Sequence, residues 1–166
     1  MNRAFIALGS NLGDRAVHLA QAVRGLCRTS TVVRVSSLYE TEPVGGPDQG
    51  PYLNAVAELQ TDFAPFRLLQ VLAGLEQEAG RLRTVRFGPR TLDLDLLWWD
   101  GEEVRSDVLT LPHPRAHERR FVLEPWVEIW AEGSIRGRAL SDWLREALPA
   151  EVHRLQGPEW VRAVDS

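Results

Sequence analysis

The stretch TLDLDLLWW, residues 91–99, decides the fold and also carries the most unusual chemistry of the chain. Side chains alternate between the two faces of a strand, so Asp93 and Asp95 share one face. The opposite face is expected to carry the apolar side chains Leu92, Leu94, Leu96 and Trp98. Aspartate is disfavoured in strands, so two in one short strand indicate a role beyond folding. A solvated strand face with no ligand is the alternative interpretation.

The segments around this strand complete a recognisable order of elements. The apolar patterns predict a strand at 4–8, a helix at 14–27, strands at 31–38 and 52–60, and a helix from Pro65 to Gly80. The order strand, helix, strand, strand, helix, strand is typical of a ferredoxin-like α+β fold. Its antiparallel sheet would carry two helices on one face. Further helices are expected at about 118–130 and 139–148, followed by a loosely attached tail over 156–166.

The composition restricts the classes of function. The 166 residues fit a single domain with an ordinary core, and the net charge of −4 argues against nucleic-acid or membrane partners. All 19 basic residues are arginine, which excludes a Walker-type phosphate loop because that loop needs a lysine. The single cysteine, Cys27, is expected to be buried in the first helix and fits a reducing cytoplasm. The N-terminus has no long apolar run, so neither a signal peptide nor a membrane span is expected there.

A run of arginines leads into the two acids. Neighbouring carboxylates repel each other, and a hard divalent cation such as Mg²⁺ is the usual remedy. Guanidinium groups bind phosphate oxygens in a bidentate manner. The combination predicts a site that handles a polyphosphate, closed by an arginine-rich loop. The arginines are Arg81, Arg83, Arg86 and Arg90.

Other candidate residues have simpler alternatives. His113 lies between two prolines and is either a phosphate ligand or a structural residue, while Phe121 is either a core residue or a stacking partner for a planar ring. Tyr52 and Asn54 share one strand face, and the Asn54 amide suits the edge of a heterocycle. Glu76 is most simply a solvated helix residue and Asn11 a helix cap.

Two other classes of function remain open on these residues alone. A metal-dependent nuclease or nucleotidyltransferase also pairs aspartates, but it needs a third acid and usually a basic surface. A non-catalytic ferredoxin-like module would bind a nucleotide without producing AMP.

Several sequence blocks resemble the 6-hydroxymethyl-7,8-dihydropterin pyrophosphokinase family of folate biosynthesis. The similarity runs from residue 4 to about 130. The matching blocks are ALGSNLG (7–13), SSLYET (36–41), YLNA (52–55), GRLR (80–83), GPRTLDLD (88–95) and LPHP (111–114).

The resemblance implies transfer of a pyrophosphoryl group from ATP to the pterin hydroxymethyl oxygen, with release of AMP and with two Mg²⁺ ions. It implies a cytoplasmic protein that is a monomer, as members of the family often are. Asp93 and Asp95 match the metal-binding residues. The residues matching the catalytic loop and ATP site are Glu76, Arg81, Arg83, Arg90, His113 and Arg119. The residues matching the pterin pocket are Thr41, Val44, Tyr52, Asn54 and Phe121, with Phe87 where many members have tryptophan.

Overall fold

The computed structural model describes residues 1–41, 50–80 and 91–163. Its strands are β1 (Asn2–Ser10), β2 (Thr31–Val35), β3 (Leu38–Thr41), β4 (Tyr52–Thr61), β5 (Asp93–Trp99), β6 (Val104–Arg105), β7 (Thr110–Leu111), β8 (Ser134–Ile135), β9 (Arg138–Ala139) and β10 (Val152–Gln156). Its helices are α1 (Arg15–Cys27), α2 (Pro65–Glu78), a 3₁₀ turn (Ala116–Glu118), α3 (Arg120–Ile129), α4 (Leu140–Glu146) and α5 (Trp160–Ala163). Among these helices, none is both long and apolar enough to cross a membrane.

The fold is a mixed α/β framework built on one large antiparallel sheet. Strands β10, β3, β4, β1 and β5 lie side by side in that order, β2 also pairs with β4, and each of these pairings is antiparallel. The sheet separates two apolar cores. The first lies against α1 and α2, and the second lies against α3 and α4. Helices therefore cover both faces of the sheet, because the expected C-terminal helices pack on the face opposite α1 and α2.

The predicted strand at 31–38 is two strands, β2 and β3, which both pair with β4. The break falls at Ser36 and Ser37, both fully buried. The Ser36 hydroxyl accepts a hydrogen bond from the Val56 backbone N–H (2.9 Å) and thereby takes the place of a backbone carbonyl in the ladder. A side chain that competes with the ladder in this way interrupts regular pairing.

Helical spacing predicts an apolar stripe of Phe66, Leu69, Leu72, Ala73 and Ala79 along α2, and the buried face of the helix differs from that stripe. The helix buries Leu68, Leu72 and Leu75 together with Glu76, whereas Phe66 is exposed. The spacing of four, three and one residues is that of a single helical face. Glu76 completes this face, so its prediction as a solvated helix residue is wrong.

A β-bulge changes the orientation of side chains along β5. The pairing of β5 with β1 shifts between Phe5 and Ile6, which oppose Trp98 and Leu96. The extra residue, Leu97, belongs to the second core, and Trp98 packs beside it. The expectation that Trp98 shares a face with Leu92, Leu94 and Leu96 is therefore wrong, because a bulge inverts the alternation beyond it.

The segment at 156–163 packs against the framework, in contrast to the loose tail expected there. Trp160 is 1% exposed within the first core, and its indole N–H donates to the Ser36 carbonyl (2.8 Å). A buried indole stabilises by its large apolar area once its N–H has a partner. Cys27, expected to be buried, is exposed on the last turn of α1.

Candidate active site

The two aspartates lie on one sheet face next to the end of β1. Asp95 pairs with Ala7 and Asp93 pairs with Gly9. Paired residues of neighbouring strands point to the same face. Phe5, Ala7 and Gly9 follow this face along β1, with Phe5 in the second core. Both aspartates are partly buried, so this face passes from a packed aromatic core to an open polar surface.

The predicted pterin-pocket residues of β3 and β4 lie on the same face. Gly9 pairs with Asn54 on its other side, Asn54 pairs with Tyr39, and Tyr52 pairs with Thr41. The Asn54 side-chain amide donates to the Thr41 hydroxyl at 2.7 Å, and both residues are buried. This bond fixes the orientation of the Asn54 carboxamide, because its NH₂ group must face Thr41. The structure thus brings Thr41, Tyr52 and Asn54 into one surface with the aspartates.

Gly9 occupies the middle of this surface, between Asn54 and Asp93. A Cβ atom at this position would lie 3.2 Å from Asn54 Oδ1 and 3.5 Å from the Tyr52 ring. The first distance is tighter than ordinary van der Waals contact, so any side chain here would press on the Asn54 carbonyl oxygen. We call the surface formed by Gly9, Thr41, Tyr52, Asn54 and the two aspartates the polar floor.

His113 and Arg119 stand beside the aspartates. The His113 backbone N–H donates to the Leu97 carbonyl (2.9 Å), which ties the loop before α3 to the outer edge of β5. Burial, together with Arg119 and Arg115, lowers the pKa of His113 to about 4, against the opposing effect of Asp93. The imidazole is therefore neutral near pH 7. His113 Nδ1 accepts from the Arg115 backbone N–H (3.2 Å), so Nε2 carries the proton.

Arg119 brings a cation to both acids. Burial lowers the pKa of its guanidinium from the usual value, while Asp95 and, more weakly, Asp93 raise it. An arginine remains charged under such a shift because its usual pKa lies far above neutral pH. Arg119 also lies over the Phe121 ring, with Cζ 5.7 Å from the ring centroid. Phe121 is partly buried against the second core, which leaves part of its ring accessible.

Glu76 reaches β5 from α2. Its carboxylate accepts the Leu94 backbone N–H at 2.9 Å, on the strand residue between the two aspartates. The residue is 7% exposed. Glu76 therefore supports the edge of the strand that carries both acids, a role that its position in a helix does not predict.

A cavity of about 280 Å³ opens beside Asp95 and His113. The β6–β7 connection forms one wall, where Ser106 closes a turn by accepting the Leu109 N–H (3.1 Å). Leu69, Leu94 and Leu96 supply an apolar part of the cavity lining. The remaining lining residues are Asp107, Val108, Leu109, Thr110 and Pro114. The sequence predicts a short hairpin after Asp100 and Gly101 but gives no sign that it lines a site.

Six of the predicted residues lie outside the described part of the chain, and their roles stay predictions. They are Val44, Arg81, Arg83, Arg86, Phe87 and Arg90. Asn11, predicted as a helix cap, donates instead to the Gly50 carbonyl (3.2 Å), and Asp14 caps α1 by accepting the Val17 N–H.

The sequence matches the family described as 7,8-dihydro-6-hydroxymethylpterin-pyrophosphokinase (HPPK) over residues 5–131, which is more than half of the chain. The chain belongs to this family. It is 51% identical over 130 residues to the 2-amino-4-hydroxy-6-hydroxymethyldihydropteridine pyrophosphokinase of Bacillus subtilis, covering 77% of this chain and 78% of the relative. The Methylorubrum extorquens protein of the same name is 40% identical over 158 residues, covering 94% of this chain and all of the relative.

A solved structure agrees with the fold. The chain superimposes on Plasmodium falciparum HPPK-DHPS with a TM-score of 0.66 over 88% of its length, at 13% sequence identity. At this identity the likeness concerns the fold alone. The chain spans 43% of that structure's chain, so the likeness covers only part of it.

Proposed function

We propose that the chain transfers the pyrophosphoryl group of ATP to 6-hydroxymethyl-7,8-dihydropterin, producing the pterin diphosphate and AMP. Membership of the pyrophosphokinase family supports this reaction. The observation that supports it best is the polar floor. There the two aspartates and the oriented Asn54 carboxamide share one sheet face, on either side of Gly9. A pair of carboxylates can bind the Mg²⁺ that accompanies phosphate groups. A carboxamide can hydrogen-bond a heterocycle that presents both donors and acceptors.

The nucleotide is assigned to the cavity beside Asp95. Its volume of about 280 Å³ and its leucine wall suit a purine base with part of its ribose. His113 lies at its rim and offers the Nε2 proton to a phosphate oxygen without adding positive charge. Arg119 offers a permanent cation. We further propose that Arg81, Arg83 and Arg90 contact the phosphates and that Glu76 contributes by supporting β5.

The pterin is assigned to the part of the polar floor formed by Thr41, Tyr52 and Asn54. Asn54 presents its carboxamide in the orientation set by Thr41, and Tyr52 lies beside it. Phe121 supplies an aromatic face from the start of α3, and we propose Phe87 and Val44 as further pocket residues. In this arrangement the hydroxymethyl group lies on the aspartate side, next to the phosphates, and the attack at the β-phosphorus is a matter of positioning.

The donor set of the floor fits Mg²⁺. Within residues 1–41, 50–80 and 91–163, no group of three or more His, Cys, Asp or Glu side chains forms a metal cluster. Magnesium usually takes only one or two protein carboxylates and completes its shell with phosphate oxygens and water. Asp93 and Asp95 would hold two ions in this way, and the ions would supply neutralisation of phosphate charge.

The reaction moves one group and one proton. The pterin hydroxyl oxygen forms a bond to the β-phosphorus, the bond from that phosphorus to the α,β-bridging oxygen breaks, and AMP leaves with that oxygen. The hydroxyl proton passes to solvent. The chain's own contribution is to hold the two substrates in line and to surround the phosphates with positive charge, the main requirements of phosphoryl transfer.

We also propose the finer features of the architecture and setting. The strand order β5, β1, β4 and then β2 with β3, joined through α1 and α2, supports a ferredoxin-like core within one domain. A cytoplasmic, monomeric protein that acts on small molecules without membrane or nucleic-acid partners is consistent with the net charge of −4.

One assay tests the reaction. Purified protein is incubated with MgCl₂ and ATP, with and without hydroxymethyldihydropterin, and AMP is measured. AMP that forms only in the presence of the pterin supports the proposal. ATP binding without AMP would favour a non-catalytic module, and cleavage of an added oligonucleotide would favour a nuclease.

A further inference from the structure

The first residue of α1 makes contacts that the helix itself does not explain. Arg15 begins the helix, where the helix dipole disfavours a cation. Its guanidinium instead reaches the sheet. One terminal nitrogen pairs with Glu40 Oε2 at 3.0 Å, and the other donates to the Pro51 carbonyl at 2.7 Å.

These two contacts join the ends of β3 and β4. Glu40 is the penultimate residue of β3, and Pro51 directly precedes β4. Thr41 and Tyr52, the last pair in the β3–β4 ladder, therefore lie between the two points that Arg15 holds. The Arg15 and Glu40 side chains are 28% and 31% exposed, so their pair is shielded more than a typical surface ion pair.

The contacts lie behind the polar floor. Glu40 alternates with Tyr39 and Thr41 along β3, so its side chain points away from the floor and toward α1. On the front, Thr41 accepts the hydrogen bond that orients the Asn54 amide. A small change in the spacing of the two strand ends would alter that bond, because hydrogen-bond strength falls steeply with geometry.

We infer that Arg15 is a positioning residue that fixes the β3–β4 end, and through it the Thr41–Asn54 pair, for binding of the pterin. The inference rests on the proposed function. Arg15 touches neither the cavity beside Asp95 nor the aspartates among the contacts described for it, so its effect is specific to one substrate. Removing the Arg15 guanidinium should weaken binding of the pterin and leave binding of the nucleotide unchanged.

A control of the same kind lies at the other end of α1. Arg28, just beyond the last residue of α1, pairs with Glu78 at the end of α2 at 2.9 Å, and the two side chains are 60% and 61% exposed. The Arg28–Glu78 pair also joins α1 to another element, but it touches no residue of the polar floor. Arg15→Gln and Arg28→Gln therefore remove the same charge, one at each end of α1. They differ in the contact that is lost, because only Arg15 contacts the ends of β3 and β4.

The experiment measures AMP formation by wild type, Arg15→Gln, Arg28→Gln and Glu40→Gln, varying each substrate in turn. Arg15→Gln should raise the KM for the pterin about 5- to 10-fold, the scale of one charge-assisted contact, and change the KM for ATP less than twofold. Glu40→Gln keeps the Pro51 bond and should have a smaller effect. Arg28→Gln should match wild type.

The outcomes separate the two proposals. An inactive wild type would refute the proposed function, and this inference with it. An active wild type whose Arg15→Gln variant keeps the wild-type KM for the pterin would refute the positioning role alone. Equal increases in both KM values, or a loss of activity explained by the unfolded fraction in circular dichroism, would show a merely structural residue and would also refute it.

Discussion

The hydrogen bond from Asn54 to Thr41 is the most direct test of the polar floor. Thr41→Val replaces the hydroxyl with a methyl group of nearly the same size, so the packing around this buried residue is kept while the acceptor is lost. Thr41→Ser is the matched control, because it keeps the acceptor and loses the methyl group. The two variants therefore separate the hydrogen bond from the volume of the side chain.

The expected magnitude follows from burial. Asn54 is 6% exposed, so its side-chain N–H loses its partner without gaining water. A buried donor left unpaired costs about 1–3 kcal/mol in the free energy of unfolding. The amide is then no longer held in one orientation, and the pterin must supply that ordering. We expect a loss of about 1–1.5 kcal/mol in pterin binding, which corresponds to a KM about 5- to 12-fold higher.

The assay is AMP formation at saturating ATP with varied hydroxymethyldihydropterin, together with urea unfolding of each variant. Thr41→Val should show the higher KM for the pterin with the KM for ATP unchanged, and Thr41→Ser should stay within twofold of wild type. Equal pterin KM values for the valine and serine variants would refute the reasoning, since the orientation of Asn54 would then not depend on the Thr41 hydroxyl.

Three further predictions concern the acids, the histidine and the C-terminal segment. Replacing Asp93 or Asp95 with alanine should lower kcat by at least about 100-fold, the scale of one lost electrostatic contact in a transition state; near-normal turnover at any MgCl₂ concentration would contradict the metal assignment. His113 has a pKa of about 4 when folded and 6.5 when unfolded, so the unfolded chain binds the proton first as the pH falls. Wild type should therefore lose about 2 kcal/mol of stability between pH 7 and 4.5 that His113→Asn does not lose, as measured by urea unfolding at both pH values. Trp160→Ala should cost about 3–5 kcal/mol in urea unfolding, whereas Leu148→Ala, at an 83% exposed position, should cost less than about 0.5 kcal/mol.

The framework of the fold follows from hydrophobic periodicity. The helix predicted at 14–27 is α1, and the strand predicted at 52–60 is β4, because each pattern keeps one period over its whole length. Local exceptions escape such patterns. A serine hydroxyl that replaces a carbonyl in the ladder divides β2 from β3, and a bulge at Leu97 inverts the remainder of β5. Neither feature has a periodic signature.

The candidate site was partly predictable for the same reason. Alternation places Asp93 beside Asp95 and Tyr52 beside Asn54, so each pair follows from its own strand. The meeting of the two pairs around Gly9 depends on the order of strands in the sheet. The buried position of Glu76 depends on the angle at which α2 packs on β5, and sequence spacing alone does not contain that angle.

On the face of β1 that carries the polar floor, the side chains become smaller along the strand. They decrease from Phe5 in the aromatic core through Ala7 to Gly9 in the floor. The ring of Phe5 stacks on Trp130 with centroids 4.7 Å apart, so the strand is anchored at its widest side chain. The Asn54 carboxamide and the two carboxylates, which flank Gly9 on the neighbouring strands, are thereby held at a fixed register to this packed aromatic core.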